Sequence, residues 1–573
     1  MAKISELTTL TAPVTSSDLT VMIRSNGAGG YTSFKSPLNY FGGFTSSAMM
    51  VGVNNQVTGQ GAMAQGTQNT ASGVIAMATG GSTLADGAGC HTEGYYTTAS
   101  LGYSHAEGEN TTAASISSHA EGSGSIAGWS EFFGTPSSTG RDSHAEGLNT
   151  RTAGVGAHSE GQYTTATGRA SHAEGSLTTA SGDYSHAEGI QTKATGQGAN
   201  SKGGGTLSSG AGAHSEGIYT TASANYSHAE GHLTEAASQL SHAEGSGSWA
   251  GYSIFTGLPA AAGIASHAEG LFTRTAGVGS HSEGSGSIAS GIAAHAEGNN
   301  TVASAETSHA EGRNSLAAAI GSHAEGYQCT SSGHYSHAEG QFCETSAGAT
   351  GAHAEGYFTI ASQDVAHAEG NRTTSSAFGS HAEGDSSIAS GNYAHSEGYG
   401  TTASATISHA EGNRTEASAF GSHAEGYGTY SRGNYAHSEG SSSVALGDFS
   451  HAEGHSTLAS GTGSHAEGYS TTASADYQHV SGKFNVTSSN VNDLFIIGNG
   501  TALNSRSNIL QVNTGSLVCN GYITSSGLVV PSTSSLTPVL GAMFYDDALE
   551  KLFVYTGTTG TDGIVGFQSV ALG

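Results

Sequence analysis

One four-residue pattern, His-x-Glu-Gly, recurs 25 times in this chain, mostly as Ser-His-Ala-Glu-Gly and mostly at a step of 14 residues. His144, His158, His172 and His186 form one run; His214, His228 and His242 form another, with Asn200 standing at the step between them. From His353 to His479 the step of 14 is unbroken. A unit this short cannot enclose a core of its own. It buries surface only by stacking on its neighbours, so the period predicts a solenoid rather than a globular enzyme.

The register extends to the N-terminal side of the first histidine. Met49, Met63 and Met77 hold the His position at the same step, with Gly52, Gly66 and Gly80 at the Gly position. Three steps are longer than 14, by 11 residues after His119 and after His242 and by 2 after His337. With those removed, 30 coils separate Met49 from His479 inclusive. At about 4.8 Å per coil they predict a rod of about 140 Å. The two long insertions are related, Ser-Gly-Ser-Ile-Ala-Gly-Trp at 123–129 and Ser-Gly-Ser-Trp-Ala-Gly-Tyr at 246–252, and Arg-Thr-Ala-Gly-Val-Gly follows both. A duplicated block explains this, because a solenoid changes length by whole coils.

One coil, residues 171–182, reads as two similar halves, each [Ser/Thr]-x-Ala-x-Gly followed by two turn residues. Alternate residues of a strand share a face. Ser171, Ala173 and Gly175, and then Thr178, Ala180 and Gly182, should therefore line the interior between two strands packed close together. Glycine ends each half, where a positive φ would close a tight turn. The outer face of the first half is His172 and Glu174 in a near-constant pattern, whereas Thr179 and Ser181 in the second half vary from coil to coil. A constant face suggests a partner and a variable face suggests water. A core this thin should not support an isolated chain, so copies are expected to associate along the His/Glu face.

Composition agrees. The chain has 88 Gly, 6 Pro and 2 Trp among 573 residues, too little bulk for several packed cores. Disorder would not need a 14-residue register. The net charge is −29, with 16 Lys and Arg in no cluster, which argues against nucleic acid as a partner. No apolar N-terminal stretch reads as a secretory signal and no 18-residue apolar run reads as a membrane span, so no membrane insertion is expected. Cys329 and Cys343 lie one period apart and should stack about 4.8 Å apart; free thiols are favoured over a disulfide for a protein made in the cytoplasm.

The coil Ser-His-Ala-Glu-Gly resembles the Ser-Val-Ala-Ile-Gly coil of YadA-like trimeric adhesin heads. Residues 49–482 carry that resemblance. It implies a trimeric left-handed parallel β-roll in which His and Glu replace the apolar pair facing the threefold axis. Arrays of this kind are also similar to those of phage tail fibres and related viral fibre proteins. The terminal segments Ile4-Ser-Glu-Leu and Phe544-Tyr-Asp-Asp-Ala-Leu-Glu-Lys-Leu-Phe-Val-Tyr-Thr-Gly resemble the ends of such fibres, and Asn499-Gly-Thr with Asn504-Ser-Arg-Ser-Asn resembles the segment preceding an autoproteolytic chaperone domain in some of them. The resemblance implies a homotrimeric fibre of a virus particle, synthesised in the host cytoplasm. Other virion or tail proteins would bind at its N-terminus, and a host cell-surface glycan or protein at its tip. A cell-surface trimeric adhesin is the alternative.

The expected divisions are an attachment segment over 1–45, the repeat rod over 46–482 with loops near 123–140 and 246–263, a β-rich neck over 483–530, and a hairpin tip over 531–573. The candidate trimer-axis residues are His105, Glu107, His144, Glu146, His172, Glu174, His186, Glu188, His228, Glu230, His309, Glu311, His381, Glu383, His423, Glu425, His465 and Glu467. Hydrogen bonding across an interface is the first reading of this column. No cofactor is required, but three chains would offer six His and Glu ligands per layer, which suits a transition-metal ion. Charged His–Glu pairs would raise the His pKa and lower that of Glu. Catalysis is not expected, because it needs one distinct constellation rather than 25 equivalent pairs. Asp546 and Asp547 are adjacent in a hairpin turn, where acidic residues are ordinary. The insertions carry Trp129, Phe132, Phe133, Trp249, Tyr252 and Phe255. These aromatics either pack back on the roll or offer a site for a glycan or another virion protein.

Overall fold

The computed structural model describes residues 49–128, 140–252 and 263–520, together with five flanking strands whose backbones alone are placed. It is an all-β parallel solenoid of about 31 turns with coils of about 14 residues. Among the described residues no helix is long and apolar enough to cross a membrane. Two compact units divide the chain, Met1–Gly428 and Thr429–Gly573.

In the first unit each coil contributes a five-residue strand, such as His172–Ser176, and a two-residue strand, such as Thr179–Ala180. Each strand pairs in parallel with its equivalent one coil on: His172 with His186 and Glu174 with Glu188 in one sheet, Thr179 with Lys193 in the other. The turns bond in the same way, Leu177 N–H donating to Gln162 O at 2.8 Å and Tyr184 N–H to Arg169 O at 2.7 Å. The backbone is therefore satisfied almost entirely by the adjacent coils.

The interior is as the alternation predicts. Ser171, Ala173, Thr178 and Ala180 are buried, while His172, Glu174 and Thr179 are partly exposed. The core is a double file of alanines, Ala173, Ala180, Ala187 and Ala194 among them. In coils such as those of His172 and His186 the serine before the histidine has a polar task as well as a small size. Ser171 Oγ donates to Gly168 O at 2.7 Å and Ser185 Oγ to Gly182 O at 2.6 Å, which ties down the preceding turn.

The two glycines of a coil are needed for different reasons. Gly175 has φ +110°, and a Cβ there would lie 2.1 Å from Gly189 O. Gly182 has no such φ; a Cβ there would lie 1.9 Å from Gly196 O. Space, not backbone conformation, selects the second glycine. The left-handed turn positions instead belong to Leu177 and Tyr184, both at φ 59°. Their side chains point outward and pack along the stack. Tyr393 meets Phe378 at a centroid distance of 5.3 Å, and the Arg169 guanidinium lies 5.9 Å from the Tyr184 ring.

All three long steps preserve register: His119 pairs with His144, His242 with His267, and His337 with His353. Asn200 pairs with His186 and His214, filling the gap in the column. Cys329 and Cys343 are buried free thiols in the alanine file, Cys343 Sγ lying 3.2 Å from Gly356 O.

In the second unit the coils of His437, His451, His465 and His479 stack in the same way. The repeat pattern ends at His479, but the sheet does not. Asp493–Asn499 adds a further parallel strand with Phe495 beside His479 and Gly498 beside Gly482. The core widens there from alanine to Val480 and then Ile496. Gln478 replaces the usual serine and, fully buried, its side-chain amide donates to Asp493 O at 3.0 Å and accepts from Ser474 N–H at 2.8 Å. Antiparallel strands Asn508–Asn513 and Leu517–Cys519 then follow. Met543–Asp546 pairs antiparallel with Lys551–Tyr555, the hairpin read from the sequence, and Phe567–Val570 adds a third strand. The hairpin's turn lies outside the described residues. Near the N-terminus, Val21–Arg24 pairs antiparallel with Tyr31–Phe34.

Candidate functional site

Within each unit the parallel register sets successive His-x-Glu pairs one above the next, with Asn200 and Lys202 interposed between the coils of His186 and His214. In the first unit the imidazoles form a file with ring centroids mostly 4.5 to 5.0 Å apart, nearly coplanar at most steps. His105 stacks between His91 and His119, His144 between His119 and His158, and His172 between His158 and His186. His228 stacks on His242, His309 on His323, His381 on His367 and His423 on His409. The file is least regular at His214–His228, where the rings meet at 76°.

In most coils of the first unit the glutamate stands beside its own histidine. His Nε2 to Glu Oε2 is 3.9 Å for His105–Glu107, 4.0 Å for His144–Glu146, His186–Glu188, His309–Glu311 and His381–Glu383, and 3.7 Å for His228–Glu230 and His423–Glu425. The shortest, His214–Glu216, is 3.4 Å. Most of these exceed hydrogen-bond length. The Nε2 atoms of His105, His172, His309, His381 and others are themselves shut off from solvent and have no hydrogen-bond partner. Glu174 and His172 share the outer, partly exposed face of their strand. In the second unit the pattern shifts: His451 Nε2 lies 3.3 Å from Glu439 Oε1 and 3.9 Å from Glu453 Oε2. His465 lies 4.0 Å from Glu453, and Glu467 turns to His479 at 3.5 Å.

The proton preference of the column reverses the sequence expectation. Burial, and then the charge of neighbouring imidazoles, hold His105, His144, His186, His228, His309, His381 and His465 below the ordinary histidine pKa. The adjacent glutamates pull the other way but more weakly. Stacking places each ring closer to other histidines than the sequence pairing of His with Glu suggests. At these histidines the fold therefore favours the neutral imidazole.

Two features of this face lie outside the His-x-Glu pattern. At the coil of Asn200, Lys202 occupies the Glu position, and its Nζ lies 3.6 Å from Glu188 Oε2. At the N-terminal end of the face, Met49, Val51 and Met77 are 42%, 38% and 37% exposed. Both follow from the register; the Lys202 partner needed only the step of 14 applied to Glu188. Phe495 was harder to find, because its spacing from His479 is 16 and no motif residue but Gly498 is kept.

Of the insertion aromatics, Trp249 and Tyr252 are described and half-buried; Trp129, Phe132, Phe133 and Phe255 lie outside the described residues. Trp249 takes the outward position of a two-residue strand, with the Arg274 guanidinium of the next coil 4.6 Å from its ring and Tyr252 at 5.5 Å. Burial and a hydrogen bond to Glu235 push the Tyr252 phenol above its usual range. This side of Trp249 packs on the roll. The chain matches no protein-family model and no curated protein.

Proposed function

We propose that the chain is the structural fibre protein of a virus particle, a phage tail fibre, in which three copies associate along their His/Glu faces. The carrying observation is the asymmetry of the two outer faces. One is held to His and Glu through coil after coil and ends in exposed Met49, Val51 and Met77. The other carries Thr179, Lys193, Leu207, Glu235, Trp249 and Arg274 with no fixed chemistry. Exposed apolar residues at one end of the constant face are best covered by the same face of another copy. The alanine file supplies little apolar burial per coil, which also favours association.

In this reading the N-terminal segment joins the particle, the stacked coils set the reach, and the C-terminal strands contact a host-surface glycan or protein. Three tips would raise avidity without new contacts. The protein acts by position and reach, not by chemistry. The test is molecular mass in solution by light scattering, together with electron micrographs of the same sample. A trimeric rod is expected; a monomer or a compact particle refutes the proposal.

A further inference from the structure

We propose that the His/Glu column is a chain of divalent transition-metal sites, each built from His Nε2 and Glu Oε of one coil and His Nε2 of the next. Sets such as His105–Glu107–His119, His119–Glu121–His144 and His228–Glu230–His242 bring three such atoms within 4.8 Å of one another. All three ligands come from one chain, so the sites do not depend on the number of copies in the fibre.

The distances suit a shared ion better than a hydrogen bond. In the coils where the two side chains approach most closely, Nε2 to Oε2 is 3.4 to 4.0 Å. Nitrogen and oxygen bound to one ion at about 2.0–2.2 Å in tetrahedral geometry sit about 3.4 Å apart, whereas a direct hydrogen bond needs about 2.7–3.2 Å. In the sets named above, the Nε2 atoms of His105, His119, His144, His228 and His242 are shut off from solvent and accept or donate no hydrogen bond.

Charge gives a second, independent reason. The column stacks one carboxylate per His-x-Glu coil, and the whole chain carries a formal charge of −29. A divalent ion at alternate coils would balance two glutamates. Consecutive sets share a histidine, so alternate coils are also the densest filling the ligands allow. The chain itself places a cation on the column at the one coil between His91 and His465 that lacks His and Glu, where Lys202 Nζ sits against Glu188. Mixed nitrogen and carboxylate donors favour Zn²⁺ and its neighbours over Mg²⁺ or Ca²⁺.

The experiment titrates metal-free, full-length protein with Zn²⁺ in excess Mg²⁺, and with Co²⁺ to read tetrahedral absorption bands. The expected result is one ion for about every two coils, undisturbed by Mg²⁺. Displacement by Mg²⁺ would mean carboxylate screening alone and would overturn the proposal. The triple variant Glu311→Gln, Glu325→Gln and Glu339→Gln keeps every histidine and should lose the ions of those coils. Unchanged stoichiometry would mean adventitious binding by exposed histidine and would overturn it. The double variant Asn200→His, Lys202→Glu restores the repeat and should add binding; no gain refutes the assignment even if the triple variant does not fold. Trimer mass without metal, or metal without trimers, separates this result from that of the fibre proposal.

Discussion

Gly175→Ala and Gly156→Ala remove a glycine of positive φ from neighbouring coils, yet they should differ sharply. At Gly175, φ is +110°, outside the left-handed region open to alanine, and the added Cβ would lie 2.1 Å from the backbone oxygen of Gly189. Backbone strain costs about 1–3 kcal/mol. Relieving the overlap means moving a strand by about 1 Å, which weakens two or more ladder hydrogen bonds at about 1 kcal/mol each. The sum is about 3–5 kcal/mol, concentrated between the coils of His172 and His186. Gly156 has φ +65°, and a Cβ there meets nothing within 4 Å. Ala170 holds the equivalent turn position one coil later at φ 50°. Its net change should stay within about 1 kcal/mol, because lost chain entropy in the unfolded state offsets the mild strain. A solenoid melts locally, so the assay is amide hydrogen exchange with limited proteolysis, not one melting temperature. Gly175→Ala should open residues 172–190 to both while distant coils stay protected. Equal damage from the two variants, or no damage at Gly175, would refute the reasoning.

Acidification should destabilise the column. Histidines such as His105 and His309 lie below their unfolded pKa, so their stabilising contribution is complete above about pH 6.5 and is lost as pH falls below it towards the folded values. Denaturant midpoints at pH 7.5 and 5 measure this; greater stability in acid would contradict the stacking account. Of the four free cysteines, Cys90, Cys329 and Cys343 are buried and Cys519 is partly exposed. A thiol reagent should therefore label one site quickly in the native protein and all four after denaturation. Phe495→His should be tolerated poorly, since Phe495 packs edge-on at 5.1 Å on His479 and closes the file; increased exchange in Asp493–Asn499 would show it, and unchanged protection would count against a capping role.

The 14-residue step, the buried Ser/Ala positions and the outward His and Glu were all readable, because strand alternation and the size limit of a thin core leave one arrangement. What could not be read was contact across coils. His158 is followed by Glu160 in sequence, yet its ring stacks on His144 and His172, and burial together with those two rings lowers its pKa. Turn chemistry was also only half legible. Glycine signalled the turns, but Gly182 is selected by the carbonyl of Gly196 while Tyr184 and Leu177 carry the left-handed backbone. The added strand at Phe495 was hidden because burial chose Phe and Ile where the motif has His and Ala, and spacing was the only sequence signal in use.

The three insertions share one location, the turn between the two-residue strand and the next Ser-His or Ala-His. In both long ones the neck is a pair of touching glycines. A Cβ on Gly140 would lie 2.5 Å from Gly128 Cα, and one on Gly263 would lie 2.4 Å from Gly251 Cα. The roll thus closes before the loop begins, which is how His119 still pairs with His144 and His242 with His267. Once the neck is closed, eleven extra residues add loop entropy of only about 2 kcal/mol, which neighbouring coils can carry. The neck, not the loop, should therefore be the fragile part. Gly263→Ala forces Gly251 away and crowds Ser238, whose Oγ would lie 3.0 Å from the new Cβ. Shortening the loop leaves both glycines in place. Proteolysis should find the coils of His242 and His267 opened by the substitution and intact after the shortening. The reverse outcome would mean that the loop residues themselves hold the coils in register.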